Sequence, residues 1–305
     1  MKLPDTIRVI ERGWLSSNNI LCFDSDTAIL VDSGYAGHAA QTVKLVKSAL
    51  AGRQLSRLIN THSHSDHIGG NAALQQAFGC RIEIPAGIEQ HILAWDEEAL
   101  LLAPAAQRAE RFRHDGVVRP SDTLTLGGLE WQAHAAPGHD RDALMFHCPD
   151  ERLLISGDAL WENGFGIVFG ELLGQAGALA ETRTTLDRIA ALQPATVIPG
   201  HGRPFGDVPA ALERAYRRLD AFAADPARLA KNALKACFIF NLLDLQSLPR
   251  AQLEAHLASV PFFRDWGGRL LGMDIPALAE WLVFELKRAC ALEERDGMLW
   301  PTMAA

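Results

Sequence analysis

The sequence predicts an α/β fold: two sheets facing each other with helices outside, a four-layer αββα body, followed by a mainly helical appendage. Two observations carry this. Short apolar runs bounded by turn residues alternate with stretches of helical periodicity in the first two-thirds of the chain, so strands and helices interleave. From about Val208 the style changes to long helical stretches, and the chain closes on a hairpin signal at Asp296-Gly297. A chain of 305 residues has ample core for one large domain and an appendage. The expected division is a body over 1–208 and an appendage over 209–305.

Taken in order, Asn19–Phe23 and Thr27–Val31 read as a hairpin around Asp24-Ser25-Asp26. His38–Leu50 has helical periodicity through Val43, Leu45, Val46 and Leu50. Leu58–Asn60 is a strand, Gly69–Phe78 a helix, and Arg81–Ile84 a strand stopped by Pro85. Glu89–Arg119, rich in Ala, Leu and Arg, reads as a helical insertion. Its Arg108, Arg111 and Arg113 interleave with Glu110 and Asp115, as on a solvated face. Strands follow at Leu124–Leu126, Leu129–Ala135, Leu144–His147 and Leu153–Ser156, then helix Ala178–Leu192 and strand Thr196–Ile198. In the tail, Pro209–Ala223, Ala227–Leu245, Arg250–Ala258 and Pro276–Ala289 read as helices, and Phe262–Gly272 as a Gly- and aromatic-rich turn. Phe238, Phe240, Phe262, Phe263, Trp266, Trp281 and Phe284 are too many aromatics for a solvated linker, so the tail is expected to cover apolar surface.

Composition narrows the function. The formal charge of −8 argues against a general polyanion binder, and nucleic acid is not an expected partner. Met1–Arg12 carries charges throughout and has no apolar core like a signal peptide. The longest strongly apolar run, Ala236–Leu243, is far too short to span a bilayer. Cys22, Cys80, Cys148, Cys237 and Cys290 are scattered and odd in number, which predicts reduced thiols and a cytoplasmic location.

The chemistry lies in four segments at strand ends: Thr61-His62-Ser63-His64-Ser65-Asp66-His67, Pro137-Gly138-His139, Ser156-Gly157-Asp158 and Pro199-Gly200-His201. A strand end is where a rigid scaffold hands over to a loop, so side chains there converge on one point. Imidazoles and carboxylates gathered this way can hold two metals and activate water near neutral pH. The other histidines (His38, His91, His114, His134, His147 and His256) fall outside these segments and read as packed or surface residues.

These segments resemble the metallo-β-lactamase superfamily. His62-x-His64-x-Asp66-His67 matches its signature, and His139, Asp158 and His201 fall where its later motifs fall. The stretch through Ile68-Gly69-Gly70-Asn71 is most similar to the glyoxalase II branch. The resemblance covers roughly the first two-thirds of the chain and implies the sheet order of that sandwich. It implies that His62, His64 and His139 hold one metal, that Asp66, His67 and His201 hold a second, and that Asp158 bridges them. Asp32, in Asp32-Ser33-Gly34, is implied to steady the metal loop by hydrogen bonds. Zinc is favoured by the donor set, with iron or manganese as alternatives.

The implied activity is that of a dinuclear metal-dependent hydrolase in which a bridging hydroxide attacks a thioester or activated ester and Asp66 accepts or relays a proton. Trp161 and Phe165, just after Asp158, are candidate substrate-binding residues. The tail shows no basic and tyrosine set for glutathione, and neither Tyr35 nor Tyr216 adjoins a ligand segment, which argues against a tyrosine-dependent lactonase. Two rival functions keep the same metals: a single-strand RNA endonuclease and a non-catalytic metabolite-binding sensor. The tail resembles the winged-helix appendage of some lactamase-like RNases and thioesterases. Glu280 and Glu285 offset Lys287 and Arg288 on its last helix, so packing, a pocket lid or homodimer formation is expected of it before nucleic-acid reading.

Overall fold

The computed structural model describes residues 2–303. A six-stranded sheet forms in chain order from β1 (Ile7–Ile10), β2 (Asn19–Phe23), β3 (Thr27–Val31), β4 (Gln54–Ile59), β5 (Arg81–Pro85) and β6 (Gly116–Val118). β1 to β3 pair antiparallel and β3 to β6 parallel. Parallel neighbours need crossovers. These carry helices α1 (Ala39–Leu50), α2 (Ser65–Ile68), α3 (Asn71–Phe78) and α4 (Glu89–Ala94). α1 buries Thr42, Val46, Ala49 and Leu50, one face of a 3.6-residue period.

The second sheet is an antiparallel meander of β7 (Thr123–Leu126), β8 (Leu129–Ala135), β9 (Leu144–Cys148) and β10 (Leu153–Gly157). After α5 (Phe169–Leu172) and α6 (Ala178–Leu192) the chain returns as β11 (Thr196–Pro199), parallel to β10. Between the sheets, Ile20, Val31 and Ile59 share one core with Trp131, Phe146 and Ile155. On the outer face of the first sheet, Leu30 and Leu58 share a core with Val46 and Leu74 of the helices. On the outer face of the second, Met145, Leu154 and Val197 share one with Leu186 and Ile189. Two facing sheets between helices make the body an αββα sandwich.

The tail holds α7 (Val208–Ala224), α8 (Pro226–Leu245), α9 (Leu253–Ser259), α10 (Pro261–Leu271) and α11 (Ile275–Arg288). A small sheet of β12 (Leu248–Pro249), β13 (Leu292–Arg295) and β14 (Met298–Pro301) closes it, in the order β12-β14-β13. Aspartates cap three of these helices. Asp207, Asp225 and Asp274 accept from backbone N–H groups of the first turn, each with a proline at its start. One apolar core runs from Met145, Leu154 and Val197 of the second sheet through Leu219 and Phe222 of α7 to Phe238, Phe263 and Leu282. The expected boundary between 208 and 209 falls in the first turn of α7.

Several elements differ from expectation. β1 and β6, both short, are present where the sequence shows no clear strand signal. The stretch Glu89–Arg119 is helical only through Ala94 before β6, and Trp95, Leu101 and Ala106 break any longer helix with left-handed backbones. Its Arg108 pairs with Asp244 of α8. Phe262–Gly272 is a helix and not a turn. Pro261 starts it, and Gly267 sits where a Cβ would come within 2.9 Å of the Leu278 side chain. Its glycine is thus a packing choice within α10. Phe262, Phe263, Trp266 and Phe238 are buried as the tail's aromatic content predicts, but Phe284 is 63% exposed.

Each fully buried phenylalanine contributes about 1.5–3 kcal/mol relative to exposure. Truncation after Asp207 removes α7 to β14 and uncovers the apolar surface that the tail shares with α6 and the second sheet. The truncated chain is expected to aggregate or bind a hydrophobic dye, read by size-exclusion chromatography. A soluble, monomeric truncation product that melts cooperatively would show the core to be divisible there.

Candidate metal centre

Four loops leave the strand ends and meet at the edge of the sandwich. The β4–α2 loop supplies His62 and His64, and α2 supplies Asp66 and His67; the segment after β8 supplies His139; Asp158 directly follows β10; His201 lies two residues beyond β11. Two groups result. Potential ligand atoms of His62, His64 and His139 lie within 4.8 Å of one another, as do those of Asp66, His67, Asp158 and His201. The remaining histidines belong to neither group.

Asp158 stands between the groups. Its Oδ1 is 3.4 Å from His67 Nε2, and its Oδ2 is 3.3 Å from His139 Nε2 and 3.9 Å from His201 Nε2. His201 Nε2 donates to Asp66 Oδ2 at 2.8 Å. His64 Nδ1 and His139 Nε2 are 2.7 Å apart. Such crowding needs backbone that yields space. A Cβ on Gly200 would collide with Asp158 Oδ1, and one on Gly166 with the His139 ring.

The outer hydrogen bonds fix which ring nitrogen faces inward. His67 Nδ1 is 2.8 Å from Asp32 Oδ2, and His139 Nδ1 is 2.6 Å from the Ile167 carbonyl. His62 Nδ1 is 3.0 Å from Thr61 Oγ1. Asp32 also accepts from Thr61 N and Thr61 Oγ1, both at 2.8 Å. The residue holds a left-handed backbone, φ 59°, uncommon outside glycine, and it is buried. Its carboxylate therefore braces the His62–His67 segment from behind. Asp140 does similar work from the other side, accepting from Ser63 N and Ser63 Oγ.

With their Nδ1 atoms so engaged, His62 Nε2 and His67 Nε2 are buried and make no hydrogen bond. Buried polar atoms without a partner are rare and costly. Imidazole nitrogens left this way beside carboxylates have the chemistry a divalent cation needs, so the residues fit a metal.

Burial and neighbouring imidazoles push His62 well below the usual histidine range. Burial and His139 lower His64 to about 4. Burial alone would raise the Asp158 carboxyl, but His201, His67 and His139 outweigh it and hold it well below the usual carboxylate range. Burial alone would lower His67, but Asp32, Asp66 and Asp158 outweigh it and raise it well above the usual value.

A cavity of about 330 Å³ opens onto both groups. Trp161 lies at the end beside these groups, donating Nε1–H to Asp158 Oδ1 at 3.2 Å and meeting the His201 ring at 5.4 Å. Phe165 also lines the cavity, although it is almost wholly buried. Trp14 was not legible as a site residue. It stacks on His201 with centroids 5.7 Å apart and is 41% exposed, and it comes from a segment with no ligand nearby in sequence. The tail helices supply much of the remaining wall, including Ile239, Phe240, Leu243 and Leu286. Tyr35 and Tyr216 bond to Asp244 and Asp187 and do not line the cavity.

An αββα sandwich with histidine and aspartate groups at the ends of its strands defines a class of metal-site proteins. The family profile described as metallo-beta-lactamase superfamily matches residues 12–201, and the chain belongs to that superfamily. The chain is similar to the hydroxyacylglutathione hydrolase of Rhodobacter capsulatus, 34% identical over 179 residues, 58% of each chain. That of Fuscovulum blasticum is 29% identical over 187 residues, 59% of this chain and 64% of the relative. The chain thus spans less than two-thirds of the length of these relatives. Among solved structures, a metallo-beta-lactamase family protein from Thermus thermophilus superposes with a TM-score of 0.59 at 18% identity, covering 98% of this chain and 100% of that one. The FEZ-1 metallo-beta-lactamase from Legionella gormanii gives 0.58 at 14% identity, covering 75% and 99%. Identities this low establish a shared fold.

The lowered imidazoles set a pH dependence for the metal-stripped protein. Unfolded imidazoles titrate near about 6.5. A base depressed in the folded state is neutral there while the unfolded chain takes up a proton, so stability is complete above about 6.5 and declines as pH falls toward the folded value. His67, raised in the fold, is protonated in both states across that window and does not offset the loss. The melting temperature of chelator-treated protein is expected to fall between pH 6.5 and about 4, the value to which His64 is lowered. A flat melting temperature there would contradict buried neutral histidines.

Proposed function

We propose that the chain is a dinuclear metal-dependent hydrolase acting on a thioester or activated ester. His62, His64 and His139 would hold one divalent ion, Asp66, His67 and His201 the other, and Asp158 both. The observation that carries this reading is the placement of Asp158, one oxygen toward His67 and the other toward His139 and His201. Imidazole and carboxylate donors favour zinc, with iron or manganese also suited. Two bound ions would supply Lewis acidity for the carbonyl and lower the pKa of water toward neutrality.

The chain's own residues do the rest. Asp66 Oδ2, hydrogen-bonded to His201, is held below the usual carboxylate range by His67 and His201 despite its burial. It is therefore ionised near neutral pH and can accept a proton at that oxygen. Trp161 orients Asp158 through its indole N–H. Asp32 and the Ile167 carbonyl hold His67 and His139 in place. The apolar side chains of the cavity exclude water and pack the substrate's carbon skeleton.

The thioester preference is supported by similarity to proteins named hydroxyacylglutathione hydrolase. A small-molecule substrate is preferred to RNA because the cavity at the metal end is lined mostly by apolar side chains, and Arg108 is engaged with Asp244. No observation favours a non-catalytic sensor over a hydrolase. A cytoplasmic location accords with five free cysteines, and among the described residues no helix is long and apolar enough to cross a membrane.

Replacing Asp158 by Ala is expected to weaken both ions and abolish thioester hydrolysis, read by elemental analysis and a thioester, lactone and RNA panel on one sample. Two metals per chain with full activity in Asp158→Ala would overturn the dinuclear reading. His114→Ala, remote from both groups, is expected to leave metal content unchanged. Asp32→Asn is expected to lower metal affinity about 10–100-fold, as losses of such supporting partners do. Unchanged affinity in a competition titration would remove Asp32 from the account.

A further inference from the structure

One helix builds a graded wall along the cavity. Asn232, Lys235, Ala236, Ile239, Phe240 and Leu243 of α8 all line it. Steps of three and one along the chain place them on a single helical face. That face is polar in its first turn and apolar beyond, over about 16 Å at 1.5 Å per residue. Arg218 of α7 joins the polar end, donating from Nη2 to Asn232 Oδ1 at 3.3 Å.

The Arg218 guanidinium lies over Phe165 and Phe222, 5.3 and 5.4 Å from their centroids. It presses on Gly164, where a Cβ would collide with Nη1. Burial lowers its pKa, and among the described residues no carboxylate comes within 4.0 Å of it. The other cations near the cavity are compensated: Lys235 by Glu285 at 3.5 Å and Arg108 by Asp244. A half-buried cation without a counter-charge is costly in proportion to the solvent it has lost. Two aromatic faces recover part of that cost and lock the fork in one orientation, yet most of its five donors have no protein partner.

We propose that Arg218 is a specificity-determining residue that receives an anionic group carried on an apolar chain of the substrate. The hydrolase would then prefer amphipathic anionic esters or thioesters, such as acyl chains ending in a carboxylate, over plain fatty chains. The fork suits a carboxylate bidentately, and the apolar remainder of the α8 face packs the methylenes. This inference rests on the hydrolase reading of the same cavity.

The test compares aryl thioesters of matched length, methyl-terminated and ω-carboxylate-terminated, on the metal-loaded full chain. Wild type is expected to favour the carboxylate series at least 10-fold in kcat/KM at one chain length. Arg218→Met keeps the length and the contact with both rings. It is expected to erase that preference through KM while metal content, melting temperature and turnover of the methyl series hold. Arg218→Lys is expected to restore part of it. Calorimetry on metal-stripped protein supplies a readout independent of turnover: octanoate is expected to bind more tightly than 1-octanol to wild type, and equally in Arg218→Met. Hydrolysis of both series at equal rates, or an undiminished preference in Arg218→Met, would overturn the proposal and leave the hydrolase standing. Absence of all turnover would instead remove the hydrolase reading, and the octanoate comparison would still decide the role of Arg218.

Discussion

The Asp158 carboxylate, set between two groups of imidazoles, is the constraint on which the rest of the site depends. A buried anion is unfavourable unless cations or hydrogen bonds surround it. His67, His139 and His201 approach it within 3.3–3.9 Å, and Trp161 donates to it. Each of those residues comes from a different loop. The sandwich brings the loops together because β10 is buried along its whole length between β9 and the edge strand β11, which runs parallel to it. Glycine at 200 is the local consequence, since any side chain there would displace the carboxylate.

A second set of groups holds the loops in position. Asp32 reaches across from the first sheet to Thr61 and His67, so the end of β3 and the end of β4 are tied by one carboxylate. Its left-handed backbone is a local strain offset by these hydrogen bonds. On the opposite side, the loop after Asp158 brings the Ile167 carbonyl to His139 and carries Trp161 and Phe165 into the cavity wall. The geometry of the histidine and aspartate groups and the shape of the cavity are therefore linked through a single loop. The tail completes the enclosure: α8 and α11 line the same cavity, and their core is continuous with that of the second sheet.

Much of this was legible in the sequence because the candidate ligands closely follow short apolar runs that read as strands. The β2–β3 hairpin, β8 and α6 have periodicities long enough to be unambiguous, and the structure places them within a residue or two of expectation. Other features had no local signal. β1 and β6 are short edge strands, each paired on one side only, and neither has a clear apolar alternation. α10 read as a turn because Gly267 and Gly268 are weak helix formers, yet Gly267 is needed for contact with α11. The Ala-rich stretch after α4 has high helix propensity but follows the cavity rim in turns, tied by Asn241 to Ala105 and by Asp244 to Arg108. Trp14 and Arg218 reach the cavity only through tertiary folding, so motif spacing alone does not reveal them.

The central claim is that these side chains form one dinuclear centre with Asp158 shared between its halves. Anomalous diffraction from crystals of the zinc-loaded protein, collected above and below the zinc edge, tests it most directly. The account predicts two peaks about 3.5–4 Å apart, one among His62, His64 and His139, the other among Asp66, His67 and His201, with an Asp158 oxygen on each. A single peak, or peaks that leave Asp158 uncoordinated, would contradict it.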